Sequence, residues 1–141
     1  MKSVATLIRL QRHALVERKK ALVQLMEEAA QIRQSLAALE AALAHEKHLA
    51  TQDPVLAQTF PRFLQATLRQ RAMFQDMLAD VAQRIAATEH EIAEAFRGLK
   101  AYELAEQGAR ARAAAEAAHR EQKVLDEVGG ALHHRATARP T

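Results

Sequence analysis

Apolar residues along the first third of the chain recur at alternating steps of three and four. Leu22, Leu25, Ala29, Ile32, Leu36, Leu39 and Leu43 keep that spacing without a break. A mean period of 3.5 holds one stripe of an α-helix against a partner helix over many turns. The stripe reaches back through Leu15, Ile8 and Val4, with Gln11 and Arg18 as polar interruptions. Residues 4–50 contain no Gly or Pro. The pattern therefore predicts one helix over 4–50, roughly 70 Å long at 1.5 Å per residue.

A second stripe follows a break at Thr51-Gln52-Asp53-Pro54. Asp53 suits a helix cap and Pro54 a first helical position, where the amide that proline lacks has no partner anyway. Pro61 repeats the signal, which predicts a loop or short helix over 51–60 and a new long helix from 61. That helix carries Leu64, Phe74, Leu78, Val81, Ile85, Ile92, Ala95, Leu99 and Tyr102, and its grid crosses Thr67, Arg71 and Thr88. It is expected to run to about Val128, where Gly129-Gly130 offers a stop. Residues 131–141 lack periodicity and read as a flexible tail.

Two long helices joined by a short connection fold back antiparallel. The expected fold is all-α: a long antiparallel two-helix coiled-coil hairpin forming a single domain over residues 1–130. Pairing position 50 with about 60 pairs position 4 with about 106. The second helix then projects past the first from about Gln107 to Val128. Ala109, Ala111, Ala113 to Ala115, Ala117 and Ala118 favour helix there, with Val124, Leu125 and Val128 as the larger apolar residues.

Composition narrows the choice. Of 141 residues 49% are hydrophobic, but aromatics are only 4% and Ala dominates the rest, so a thick core is not expected. Cys is absent, which removes disulfides, thiolate metal sites and Cys nucleophiles. No apolar run approaches a membrane span, and Val4 to Ile8 is too short for a signal peptide, so a cytoplasmic location is expected. Net charge is +3, unevenly placed. Residues 1–20 carry Lys2, Arg9, Arg12, Arg18, Lys19 and Lys20 against Glu17, whereas 21–61 lean acidic through Glu27, Glu28, Glu40, Glu46 and Asp53.

Candidate chemistry is sparse. His45 and His48, with Asp53 nearby, have a ligand-like spacing but no further His to close a metal site. Glu116 and His119 reproduce half of a di-iron motif whose second pair and extra Glu residues are missing. Ser3 and Ser35 have no base and orienting acid around them, and the four glycines are scattered rather than gathered into a phosphate loop. No enzyme, cofactor or metal site is expected. The basic N-terminal run is crowded by Leu7, Ile8, Leu10 and Leu15, and Asn is absent from the chain. It suits an acidic protein surface or anionic lipid better than DNA, so no nucleic-acid partner is expected. Phe60, Phe63 and Leu64 cluster with Leu43 at the connection, either as a plug for the coil or as an outward contact.

Two stretches resemble a known family. The opening Thr6-Leu7-Ile8-Arg9-Leu10, continued by Val16-Glu17-Arg18-Lys19-Lys20-Ala21-Leu22, is one. The other is His119-Arg120-Glu121-Gln122-Lys123-Val124-Leu125-Asp126-Glu127. Together with length and hairpin topology, they resemble the FliJ family of flagellar type III export proteins. The resemblance implies a non-enzymatic stalk of the export ATPase hexamer. Such a stalk links the hexamer to the membrane export-gate protein and assists export chaperones, at the inner face of the membrane. It places ATPase contacts at Arg9, Arg12, Arg18, Lys19, Arg120, Lys123, Asp126 and Glu127. It places export-gate contacts at the tip, near Leu36, Leu43, Phe63 and Leu64. Where family members carry aromatics on the first helix near the tip, this chain has Leu43 and Lys47. The alternatives are the equivalent stalk of a virulence-type injectisome and a self-associating structural coiled coil.

Overall fold

The computed structural model describes residues 3–138, and all of these but Ser3 and a short connection lie in two helices, α1 (Val4–Ala50) and α2 (Pro54–Ala138). The fold is all-α, with two long helices packed against each other. Helix α1 starts at a cap that the apolar pattern does not reveal. The Ser3 hydroxyl accepts from the Thr6 amide at 3.2 Å, and the Leu7 amide reaches the Ser3 carbonyl at 3.1 Å.

At its other end α1 tightens before it stops. The amides of Thr51 and Gln52 donate to the carbonyls of His48 and Leu49 at 3.1 and 3.0 Å, three residues back. The Thr51 hydroxyl donates to the same His48 carbonyl at 2.6 Å. Asp53 then caps α2 as expected: Val55 N–H donates to its carboxylate at 2.9 Å, with Pro54 in the first helical position.

Two boundaries differ from expectation. Residues 54–60 are not a separate turn, because Pro61 lies inside α2. Its missing amide leaves the Ala57 carbonyl without the usual helical donor. Pro61 is exposed, so that carbonyl lies on the watery side, while Phe60, Phe63 and Leu64 beside it are half-buried and hold the helix together. Tertiary packing wins over propensity here. At the far end α2 passes through Gly129-Gly130 to Ala138 rather than stopping near Val128. A glycine stop needs a left-handed backbone, and no described glycine has a positive φ. The segment from 131 that lacks periodicity is helical as far as Ala138.

The packing divides into two compact units, Arg12–Phe96 and a second in which residues 3–11 go with 97–138. In the first, Leu25, Ala29, Ile32 and Val81 form a buried cluster lined by Leu36, Phe74, Leu78 and Ile85. Val81 and Ala29 are each only 1% exposed. The polar positions of the seam are also covered: Thr67 is buried, and Arg18, Arg71 and Thr88 are half-buried. No buried side-chain nitrogen or oxygen among the described residues lacks a hydrogen-bond partner.

Ion pairs mark the register within this unit. Arg71 Nη1 donates to Glu40 Oε1 at 2.9 Å, Arg84 Nη1 lies 4.0 Å from Glu28 Oε2, and Arg18 Nε lies 3.8 Å from Glu91 Oε2. Positions 40, 28 and 18 thus face 71, 84 and 91, close to the antiparallel pairing read from the connection. Two of these arginines, Arg71 and Arg18, occupy seam positions and reach outward to a carboxylate on the partner helix. They lay their methylenes in the core and their charge at its edge.

In the second unit Ile8 and Leu99 are buried, and Tyr102, Glu103, Glu106 and Gly108 are half-buried. Beyond Gly108 burial ends. Every residue from 109 to 138 is exposed.

Candidate interaction surfaces

Continuing the seam of α2 past Tyr102 and Glu106 in steps of three and four leads to Ala109, Ala113, Glu116, Arg120, Lys123 and Glu127. Charge replaces the apolar core residues from Glu116 onward. The apolar stripe moves to another face, through Ala111, Ala114, Ala118, Leu125, Val128 and Leu132, with Glu121 in the same row. Leu125, Val128 and Leu132 are between 51% and 59% exposed. One stretch of helix therefore offers a charged row and a thin apolar row, neither of them covered by the chain itself.

Three of the four C-terminal candidates for ATPase contact, Arg120, Lys123 and Glu127, lie on the charged row, and Asp126 lies beside it. Asp126 accepts from Gln122 Nε2 at 3.0 Å, one turn back. Arg120 lines a shallow depression of about 400 Å³ with Ala115, Glu116 and His119. A helix surface this open holds no small molecule away from water, but it suits side chains of a second protein.

The N-terminal candidates differ among themselves. Arg9 is exposed and belongs to the same compact unit as Arg120 and Lys123; Arg12, Arg18 and Lys19 belong to the other. Arg18 is held in the helix–helix seam by its approach to Glu91. Lys19 is exposed on the rim of a groove between the two helices. The family resemblance takes these cations together without separating the seam cation from the rim cation. A heptad assignment makes that distinction, since Arg18 falls on the grid of Leu15 and Leu22 and Lys19 does not.

The tip candidates all lie on or beside the seam. Leu36 packs against the buried cluster, and Leu43, Phe63 and Leu64 are half-buried. The most exposed apolar residue at the connection is Val55, at 68%. It follows directly on the Asp53-Pro54 start, a position that periodicity does not flag. His45 and His48 are exposed, and His48 Nε2 lies 3.3 Å from Gln52 Nε2. Among the described residues no three His, Asp or Glu side chains converge on a metal-sized site.

The chain matches no family model, no curated protein and no solved structure. No described helix is long and apolar enough to cross a membrane. What distinguishes the molecule chemically is therefore its exposed helix surface: the charged row from Glu116 to Glu127 and the apolar row on the opposite face of the same helix.

Proposed function

We propose that this chain is a non-enzymatic stalk of a flagellar type III export ATPase, seated in the ATPase hexamer and linking it to the membrane export gate. The single observation carrying the reading is the exposed helix of residues 109–138, where the seam turns from apolar to charged at Glu116, Arg120, Lys123 and Glu127. Nothing in the chain buries this stretch of helix, and a docking partner would supply the packing that it lacks. The pattern is also where the chain resembles the FliJ family most closely.

A stalk of this type catalyses nothing. Charged groups of both signs on one helix touch the subunits of a six-fold ring unequally. Contacts that differ between nucleotide states couple the ring to whatever grips the other end of the stalk. Export chaperones and the gate protein are the further partners under this reading, and association with the membrane is peripheral and indirect.

The test is turnover of the cognate export ATPase at concentrations where its hexamer is scarce. Added protein should raise activity by promoting ring assembly. The combined Arg120→Ala, Lys123→Ala and Asp126→Ala variant should lose that activation while keeping its helicity. Unchanged turnover and oligomerisation with the wild-type chain would remove the stalk role.

A further inference from the structure

A second apolar row runs along α2 immediately beside the seam. Leu68, Ala72, Gln75, Ala79, Ala82, Ala86, Glu89, Ala93 and Phe96 step alternately by four and three. All lie within the unit Arg12–Phe96 and all are exposed except Ala93, which is half-buried. Val16, Val23 and Met26 of α1, each about half exposed, continue the same side. Between the helices on this side lies a groove of about 410 Å³, lined by Leu15, Lys19 and Leu22 from α1 and by Glu89, Ile92, Ala93 and Phe96 from α2. On the other side of α2, Arg84 lies within 4.0 Å of both Glu28 and Asp80.

The order of residues in the row is close to a palindrome about Ala82. Leu68 and Phe96 are the two large ends, Gln75 and Glu89 are the two polar members, and the remaining positions are Ala. An isologous interface requires this symmetry, because residue i of one copy must meet residue j of the other and the reverse. We propose that this face joins two copies of the chain, with α2 of one running antiparallel to α2 of the other about a two-fold axis near Ala82.

The polar residues select the orientation. Antiparallel pairing sets Gln75 of each copy beside Glu89 of the other, giving two amide–carboxylate hydrogen bonds. Parallel pairing sets Glu89 against Glu89 and repels. Leu68 meets Phe96 at both ends, while the alanines between let the helices approach at the short end of the usual 8–10 Å spacing. The proposal uses residues away from the charged row of 116–127 and does not depend on a role in export.

Sedimentation equilibrium of the full chain across the micromolar range should show a monomer–dimer equilibrium. Gln75→Glu sets a second carboxylate beside Glu89 at both ends of the interface and should weaken association roughly tenfold or more. The combined Q75E and E89Q change exchanges the two polar partners and should restore dimerisation, a recovery that a folding defect would not produce. Ala87→Glu, on the opposite side, should leave the dimer intact. The chain has no Cys, so Ala82→Cys should cross-link to itself on oxidation, whereas Ala72→Cys, far from its own copy, should not. A monomer throughout the range, leaving the face to a different protein, would overturn the proposal. Equal cross-linking of both cysteine variants, or no recovery in the double variant, would also overturn it.

Discussion

Apart from the connection at 51–53, residues 12–96 and residues 109–138 are both helical, yet different things keep them so. In the first, Val81, Ala29 and Ile32 lose nearly all contact with water and two helices share the cost of ordering. In the second no residue is buried, and the helix rests on Ala-rich propensity and short-range side-chain pairs such as Gln122 with Asp126. Burial makes the first stretch cooperative. The second is a helix held near the balance point, where a partner can order it at small cost or fail to.

The largest separation between the two should come from placing a charge in each. Val81→Asp puts an unpaired carboxylate at a site 1% exposed and should cost about 4 kcal/mol or more, enough to unfold the hairpin. Val128→Asp, at a site 51% exposed, should leave the urea midpoint of the hairpin unchanged. Circular dichroism during denaturation reads both. Equal effects would mean that the two stretches unfold as one cooperative body, which breaks the contrast.

Pro61 sharpens the comparison because packing, not propensity, holds the helix there. Pro61→Ala restores an amide opposite the Ala57 carbonyl and should stabilise the hairpin by about 1–3 kcal/mol. Pro54→Ala should do little, since its amide has no helical partner to gain. If Pro61→Ala were neutral, the half-buried Phe60, Phe63 and Leu64 would already offset the whole cost of the proline.

The seam is legible in the sequence because every member obeys one rule, a step of three or four from the last. Even its polar members, Thr67, Arg71 and Thr88, are placed correctly by the grid. Asp53-Pro54 is legible because capping and a missing amide are local chemistry. Pro61 and Gly129-Gly130 mislead for the same reason: each is a local stop signal whose outcome depends on what surrounds it. Half-buried aromatic and aliphatic neighbours carry the chain past Pro61, and the glycines adopt ordinary helical torsions. The candidate contact residues are less legible. The family resemblance groups Arg18 with Lys19, although the 3-4 spacing sets Arg18 on the seam and Lys19 off it. The row from Leu68 to Phe96 escapes a reading by periodicity because Ala is too small to announce a face.

Replacing Gly129 and Gly130 together with Ala should therefore act on the exposed helix alone. Neither added methyl meets anything within 4 Å, and each substitution removes roughly 0.5–1 kcal/mol of backbone entropy cost. Amide exchange over 120–138 should slow by up to about 5- to 30-fold while the melting of residues 12–96 stays put. A shift of both would show that helicity in the exposed stretch is coupled to the hairpin.

The smallest effect concerns the bridge between α1 and α2 at Arg71 and Glu40. The contact is direct, 2.9 Å, but the two side chains remain 35% and 53% exposed, and solvent screens them. A double-mutant cycle with Arg71→Met and Glu40→Gln should give a coupling of about 0.2–1 kcal/mol, falling in high salt. Arg71→Met alone does not measure the energy of the pair, because it also exchanges an arginine stem for a thioether at a seam position. Register, more than stability, is what the bridge supplies. A shift of α1 by one heptad would separate Arg71 from Glu40, Arg84 from Glu28 and Arg18 from Glu91 together, so small pairwise terms add to a preference for one alignment. The triple change Glu28→Gln, Glu40→Gln and Glu91→Gln should hence lower the hairpin's stability only modestly. It should broaden the distribution of distances between spin labels placed at positions 37 and 73. A single narrow distance in that variant would assign the register to the apolar seam alone.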